Sequence, residues 1–122
     1  MARILIADDE FAVRYAVRSV LEDAGHEVLE AKDGAEALCI LDTYPIDIAV
    51  VDIIMPNKEG LETIVQIRQA HPSIKVIAIS GGERSSSSDF ATMARSFGAH
   101  GILRKPFTDE QLLECIAGDE GA

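Results

Sequence analysis

IAVVDIIMP, residues 48–56, is apolar enough for a protein core yet carries one acid, Asp52, in its middle. A carboxylate sealed in such a place costs several kcal/mol unless it is paired, protonated or bound to a metal. Either the chain leaves the core at that residue, or Asp52 has a partner that compensates its charge.

Working outward, the run is one of five short stretches rich in Val, Ile, Leu and Ala: RILIA (3–7), HEVLEA (26–31), DIAVVD (47–52), KVIAIS (75–80) and HGILR (100–104). Their lengths suit strands. Between and after them, apolar residues recur every three or four positions, which is helical spacing. Val13, Ala16, Val17, Val20 and Leu21 form the first such face, and Ala35, Leu38 and Leu41 lie in a second between Gly34 and Thr43. Leu61, Ile64, Val65 and Ile67 run up to His71-Pro72, where proline should end the helix. Phe90, Met93, Ala94 and Phe97 run into Gly98, a C-terminal glycine stop. Leu112, Leu113 and Ile116 follow Thr108, with Gln111 three residues on as a capping box.

Strict alternation of strand and helix, with strands apolar on both faces, predicts an α/β fold: a doubly wound five-stranded parallel sheet with five helices, flavodoxin-like. Right-handed crossovers leave few topologies, and the order 2-1-3-4-5 is chosen among them by precedent rather than derivation.

At 122 residues the chain has room for one domain, expected over 1–118 with a short flexible tail at 119–122. The formal charge of −10 argues against a nucleic-acid backbone or an anionic membrane surface as partner, since both demand a basic face. Cys39 and Cys115 lack metal-type spacing and read as reduced core thiols. No apolar stretch reaches the roughly 18 residues of a membrane span, so a cytoplasmic setting is expected. His26, His71 and His100 read as structural. GGERSSSSD (81–89) reads as a mobile surface loop, with Ser86 and Asp89 resembling a capping box.

Four of the apolar runs end by switching to polar residues: ILIA to Asp8 and Asp9, AVV to Asp52, VIAI to Ser80, and GIL to Arg104 and Lys105. In a parallel sheet those carboxyl ends share one edge, beside the switch point where ligands sit. Asp52 would then stand at the rim, facing the acids after the first strand. Two unit charges about 4 Å apart repel by roughly 4 kcal/mol at an effective dielectric near 20, so the cluster needs cations. Mg²⁺ and Lys105 are the candidates. Mg²⁺ typically joins one or two carboxylates to a phosphate, so Asp52 could act as nucleophile for a phosphoryl group neutralised by Lys105, with Ser80 donating to one of its oxygens. Taken singly, DDE could be an exposed helix start, Asp52 a paired structural acid, Ser80 incidental, and Lys105-Pro106 a surface turn. The conjunction favours chemistry, because separate strand ends bring complementary groups to one place.

ILIADDE, VVDIIMPNKEG, VIAISGG and ILRKPF together resemble the response-regulator receiver domain of two-component signalling, over nearly all of residues 2–117 and in a stand-alone form. The resemblance implies Asp52 as phosphoacceptor, a histidine kinase or phosphotransfer protein as donor, and a downstream protein partner. It also implies Mg²⁺ ligation by Asp9, Asp52 and the Ile54 backbone carbonyl, with Asp8 acting through water. Ser80 and Lys105 become phosphoryl contacts, Lys105-Pro106 becomes cis, and Pro56 and Gly60 match the loop after the phosphoacceptor. Such a chain is no enzyme in the ordinary sense, although it assists its own phosphorylation and dephosphorylation. A receiver-like interaction module that is never phosphorylated, or a Mg²⁺-dependent phosphohydrolase, would use the same residues.

Three positions depart from the family pattern. Ile102 stands where an aromatic switch residue is usual, so signalling is expected to run through Ser80 and the loop of residues 81–89. The interval from Ser80 to Lys105 is a few residues longer than usual. Ile54 occupies an often polar position, where an apolar side chain should crowd the water that attacks an aspartyl phosphate. Slow loss of the phosphoryl group is therefore expected, and Ile54→Asn should shorten its lifetime; an equal or longer lifetime in the variant refutes this.

Overall fold

The structure, a computed structural model, describes residues 1–53, 60–81, 92 and 94–118. Strands β1 (Arg3–Ala7), β2 (Glu27–Ala31), β3 (Ile48–Asp52), β4 (Lys75–Ser80) and β5 (Gly101–Arg104) alternate with helices α1 (Phe11–Asp23), α2 (Gly34–Thr43) and α3 (Gly60–Ala70). Residues 92 and 94–96 are helical (α4), and α5 (Asp109–Ala117) closes the order. The sheet is wholly parallel, in the order β2-β1-β3-β4-β5.

Period-two alternation divides the strand residues between two cores. Leu5, Ala7, Ala31, Ala49, Val51, Val76 and Ala78 join the cluster that takes Ala37 and Leu41 of α2 and Ile64 and Ile67 of α3. Ile4, Ile6, Val28, Ile48, Val50, Ile77, Ile79 and Leu103 join the cluster that takes Val17 and Leu21 of α1 and Leu112 and Ile116 of α5. Small residues predominate on the first face and branched ones on the second. The same alternation settles which rim side chains can meet.

Helix ends follow their local chemistry. Asp33 caps α2 by accepting from the Glu36 N–H, and Thr108 with Gln111 forms the expected capping box on α5. Gly98 stops α4 at φ +117°, with the Ala99 N–H donating to the Ala94 carbonyl. An equivalent stop for α1 is Gly25 at φ +96°, with the His26 N–H donating to the Leu21 carbonyl.

The strands starting at His26, Asp47 and His100 in the sequence reading begin one residue later. The histidines use their rings instead: Ala2 N–H donates to His26 Nδ1 at 3.0 Å, and Val76 N–H to His100 Nδ1 at 2.9 Å. Cys39 is exposed on α2 rather than buried, because the Ala37 and Leu41 positions take the core-facing stripe. The expectations placed on Ile54, Pro56, Phe90, Met93, the Ser86–Asp89 cap, most of the 81–89 loop and the 119–122 tail lie outside the described residues.

Gly60 fixes where α3 starts relative to the end of β3. Its N–H donates to the Ile53 carbonyl at 2.8 Å, and a Cβ there would collide with the Asp52 carbonyl oxygen and lie 2.6 Å from Ile53 Cα. Gly60→Ala should therefore lose about 2 kcal/mol or more in urea unfolding, and a loss under about 0.5 kcal/mol would contradict the close approach. His100 supplies a pH test. Burial, then the charges of Arg68 and Lys75, hold its pKa below the usual imidazole value. A lowered folded pKa means that this stability is complete above the unfolded value of about 6.5 and is lost as pH falls through it. His100→Asn keeps an acceptor without the titration, so the variant should lose less stability than the native chain between neutral and mildly acidic pH.

Candidate functional site

Asp8 follows β1, Asp52 ends β3, Ser80 ends β4 and Lys105 follows β5, so all four sit on the carboxyl edge of the sheet. Counting outward from the alternating core residues puts Asp8, Asp52 and Lys105 on the α1/α5 side, whereas Ser80 and Arg104 fall on the other. Parity thus selects Lys105, not its neighbour Arg104, as the cation for Asp52.

The carboxylates of Asp8, Asp9 and Asp52 each offer an oxygen within 4.8 Å of the others. Asp8 is 0% and Asp52 5% exposed, while Asp9 faces solvent. Lys105 Nζ lies 3.3 Å from Asp52 Oδ2 and 3.6 Å from Asp8 Oδ2. It also lies 3.2 Å from Glu10 Oε1, a contact that sequence reading missed. The only hint was the third acid of DDE. Burial pulls the Lys105 pKa down, but the charges of Asp52 and Asp8 and the bonds to Glu10 and Asp52 outweigh it and carry the pKa above the ordinary lysine value. The ammonium stays charged.

Local backbone bonds hold these groups in place. Asp8 is fixed through its N–H to the Ala31 carbonyl, its carbonyl to Arg14 Nη1, and its Oδ1 to the Glu10 N–H. The Lys105 N–H donates to the Ser80 carbonyl at 2.7 Å, tying the β4 and β5 ends together. At Gly81 an added Cβ would strike Lys105 Cβ, so only glycine lets the chain pass that stem. Lys105-Pro106 is cis, as the resemblance implied.

Among the described residues, Asp8 Oδ2 and Ser80 Oγ are buried without a hydrogen-bond partner, an arrangement that costs about 1–3 kcal/mol per group. An all-oxygen donor set with an orphaned carboxylate oxygen, open to solvent at Asp9, fits Mg²⁺ better than a softer metal. The structure therefore brings Asp8, Asp9, Asp52 and Lys105 together. Ser80 sits on the adjacent strand end with no described hydrogen bond to them, and Ile54 lies outside the described residues.

Residues 4–117 match the response regulator receiver domain family. The chemotaxis protein CheY of Listeria monocytogenes is 36% identical over 118 residues, covering 95% of this chain and 96% of its own length. The transcriptional regulatory protein CpxR of Klebsiella pneumoniae is 31% identical over 116 residues, and the sensor kinase CckA of Brucella abortus is 36% identical over 117. The chain spans 48% and 12% of those two proteins. Among solved structures, a CheY-like receiver domain protein from Methanospirillum hungatei superposes with a TM-score of 0.87 at 30% identity, covering 99% of this chain and 94% of that one.

Carboxylates held this close should make the fold respond to divalent cations. Mg²⁺ a hundredfold above its dissociation constant should raise unfolding stability by about 2.7 kcal/mol, and Asp52→Asn should abolish most of that gain. Equal stabilisation of the native chain and the variant in chemical denaturation would argue against ion binding at this cluster.

Proposed function

Since the chain belongs to the response regulator receiver domain family, we propose that it is a phosphoacceptor switch whose Asp52 takes a phosphoryl group from a histidine kinase or phosphotransfer protein. The observation that carries this reading is the nearly buried Asp52 carboxylate, held 3.3 Å from the Lys105 ammonium at the carboxyl edge of the sheet. An Asp52 carboxylate oxygen attacks phosphorus, the bond from phosphorus to the donor's imidazole nitrogen breaks, and its electron pair stays on that nitrogen. The product is an aspartyl phosphate.

Lys105 donates to a phosphoryl oxygen as charge builds there. Ser80 Oγ, a buried donor without a hydrogen-bond partner among the described residues, is a second such group once a phosphoryl oxygen is within reach. Asp9 and Asp52 would hold Mg²⁺, with the Ile54 carbonyl as a further ligand and Asp8 acting through water. Bound there, Mg²⁺ supplies positive charge against the acids and the transferring phosphoryl oxygens.

Receiver domains are signalling proteins rather than classical enzymes, so the output is a change of affinity, typically 1–3 kcal/mol of coupling. A groove of about 650 Å³ lined by Arg95, Ile102, Arg104, Phe107 and Glu114 lies on the α4-β5-α5 side and suits a protein partner. Ile102 is half-buried there and packs against the α2/α3 core. With no aromatic at that position, the change would pass through Ser80. A cytoplasmic setting accords with this reading, and no described helix is long and apolar enough to cross a membrane.

Incubation with acetyl phosphate and Mg²⁺ should raise the mass by one phosphoryl group, and Asp52→Asn should abolish the gain. No mass change in the native chain, from acetyl phosphate or from any phosphohistidine donor, would leave an interaction module that is never phosphorylated. Continuous phosphate release without an accumulating adduct would indicate a hydrolase.

A further inference from the structure

Glu10 is the residue before α1, with φ −92° and ψ 117°, yet its side chain makes no capping bond to the helix. Its own N–H is pinned to Asp8 Oδ1 at 2.9 Å. From there the carboxylate reaches Lys105 Nζ, 95 positions away in sequence, at 3.2 Å. The side chains grade outward: Asp8 is 0%, Asp52 7%, Lys105 24% and Glu10 61% exposed. Lys105 thus stands between two buried acids and one at the solvent side.

An ammonium has three N–H donors. In the resting state one goes to Asp52 and one to Glu10, while the Asp8 oxygen at 3.6 Å is an ion-pair neighbour beyond hydrogen-bond reach. Phosphoryl transfer to Asp52 would require Lys105 to redirect donors to the incoming oxygens. Glu10 holds one of those donors outward and adds negative charge at the mouth of the site. Both effects oppose an anion approaching Asp52, and the second grows with the anion's charge.

We propose that Glu10 is a positioning residue that competes with the incoming phosphoryl group for Lys105 and so selects among phosphodonors by their charge. This rests on the phosphoacceptor reading and names a regulation of the same site. A protein donor can bring its own cations to offset Glu10, whereas a small dianion meets the carboxylate unshielded. Glu10 therefore slows phosphorylation by small metabolic acyl phosphates relative to a docked phosphohistidine.

The experiment compares the native chain with Glu10→Gln, an isosteric change at an exposed side chain. Second-order rates of phosphorylation are followed by mass spectrometry, with Mg²⁺ saturating, using acetyl phosphate as dianionic donor and phosphoramidate as monoanionic donor. In each, Asp52 forms the new bond to phosphorus, and acetate or ammonia leaves with the broken bond's electrons, the monoanionic phosphoramidate already carrying the three protons that ammonia needs. Glu10→Gln should accelerate acetyl phosphate about threefold, the scale of one exposed ion pair, and phosphoramidate less; the difference should shrink at high salt. A merely structural residue would move both donors alike. Equal acceleration, no acceleration or slowing overturns the proposal.

Acylation of Lys105 by an amine-directed ester, without any phosphodonor, gives an independent readout. Loss of Glu10 should make Lys105 more reactive by about the same factor, because Nζ is then no longer held against the Glu10 carboxylate and is freer to reach the ester. Unchanged reactivity means that Glu10 does not hold Lys105, and overturns the proposal even where the phosphoacceptor reading stands. If neither of these donors nor a phosphohistidine donor modifies the native chain, the parent reading fails and the role of Glu10 in phosphorylation falls with it. Altered labelling with unaltered rates overturns the role of Glu10 alone.

Discussion

Two buried carboxylates on one face of a parallel sheet, sharing one ammonium, are the constraint around which the rest of this molecule is arranged. Two buried carboxylates this close repel each other, and Lys105 is the cation in contact with both among the described residues. The ammonium offsets one of their charges. Asp9 and Glu10 add two more negative groups at the solvent side. The cluster is thus held short of neutrality by the fold itself, and a divalent ion or a redirected lysine has something to relieve. A hydrophobic residue at Asp8 or Asp52 would pack with less desolvation penalty, so burial alone does not account for acids at these two positions.

Parallel pairing is what makes that cluster possible with so few residues. β1, β3, β4 and β5 all point the same way, so their carboxyl ends arrive at one edge without a dedicated loop to gather them. Alternation then acts as a selector. Ile4 and Ile6 lead to Asp8, Ile48 and Val50 lead to Asp52, and Leu103 leads to Lys105, all on the α1/α5 face. A one-residue slip in β5 would present Arg104 instead, and the apolar partners of Leu103 would oppose it.

Most of this architecture was legible in the sequence, because buried parallel strands leave an unmistakable apolar run and because a charged residue at the end of one has to be explained. β1 and β4 fall where RILIA and KVIAIS predicted, and the Thr108–Gln111 cap is as read. Glu10 was not legible. Its partner lies on the far side of the sequence, and nothing local distinguishes a glutamate that pairs across the fold from one that faces water at a helix start. Cys39 was misread for the opposite reason: on a short helix the apolar stripe is narrow, and one position off it is already solvent. The starts of β2 and β5 were read one residue early, since a histidine that ends a ladder through its ring looks from sequence like one more strand residue.

The two edges of the sheet differ in how their polar groups are settled. At the amino edge, Asp47 Oδ2 accepts from the Arg3 N–H, and the rings of His26 and His100 accept the N–H groups of Ala2 and Val76. Lys75 Nζ donates to the carbonyls of Cys115 and Gly118, closing the end of α5 from a neighbouring strand. At the carboxyl edge the orphans are Asp8 Oδ2 and Ser80 Oγ, the buried side-chain atoms left without hydrogen-bond partners among the described residues. An unsatisfied buried group is tolerated where something else supplies the bond; Asp8 lies among the gathered acids, and Ser80 ends the adjacent strand at the same edge of the sheet. Polar side chains are thus settled within the protein at the amino edge, while two of the described ones stay open at the carboxyl edge. Loss of the Asp47 or His100 acceptor at the amino edge should therefore cost folding, whereas loss of the Ser80 hydroxyl at the carboxyl edge removes no described hydrogen bond of the resting fold.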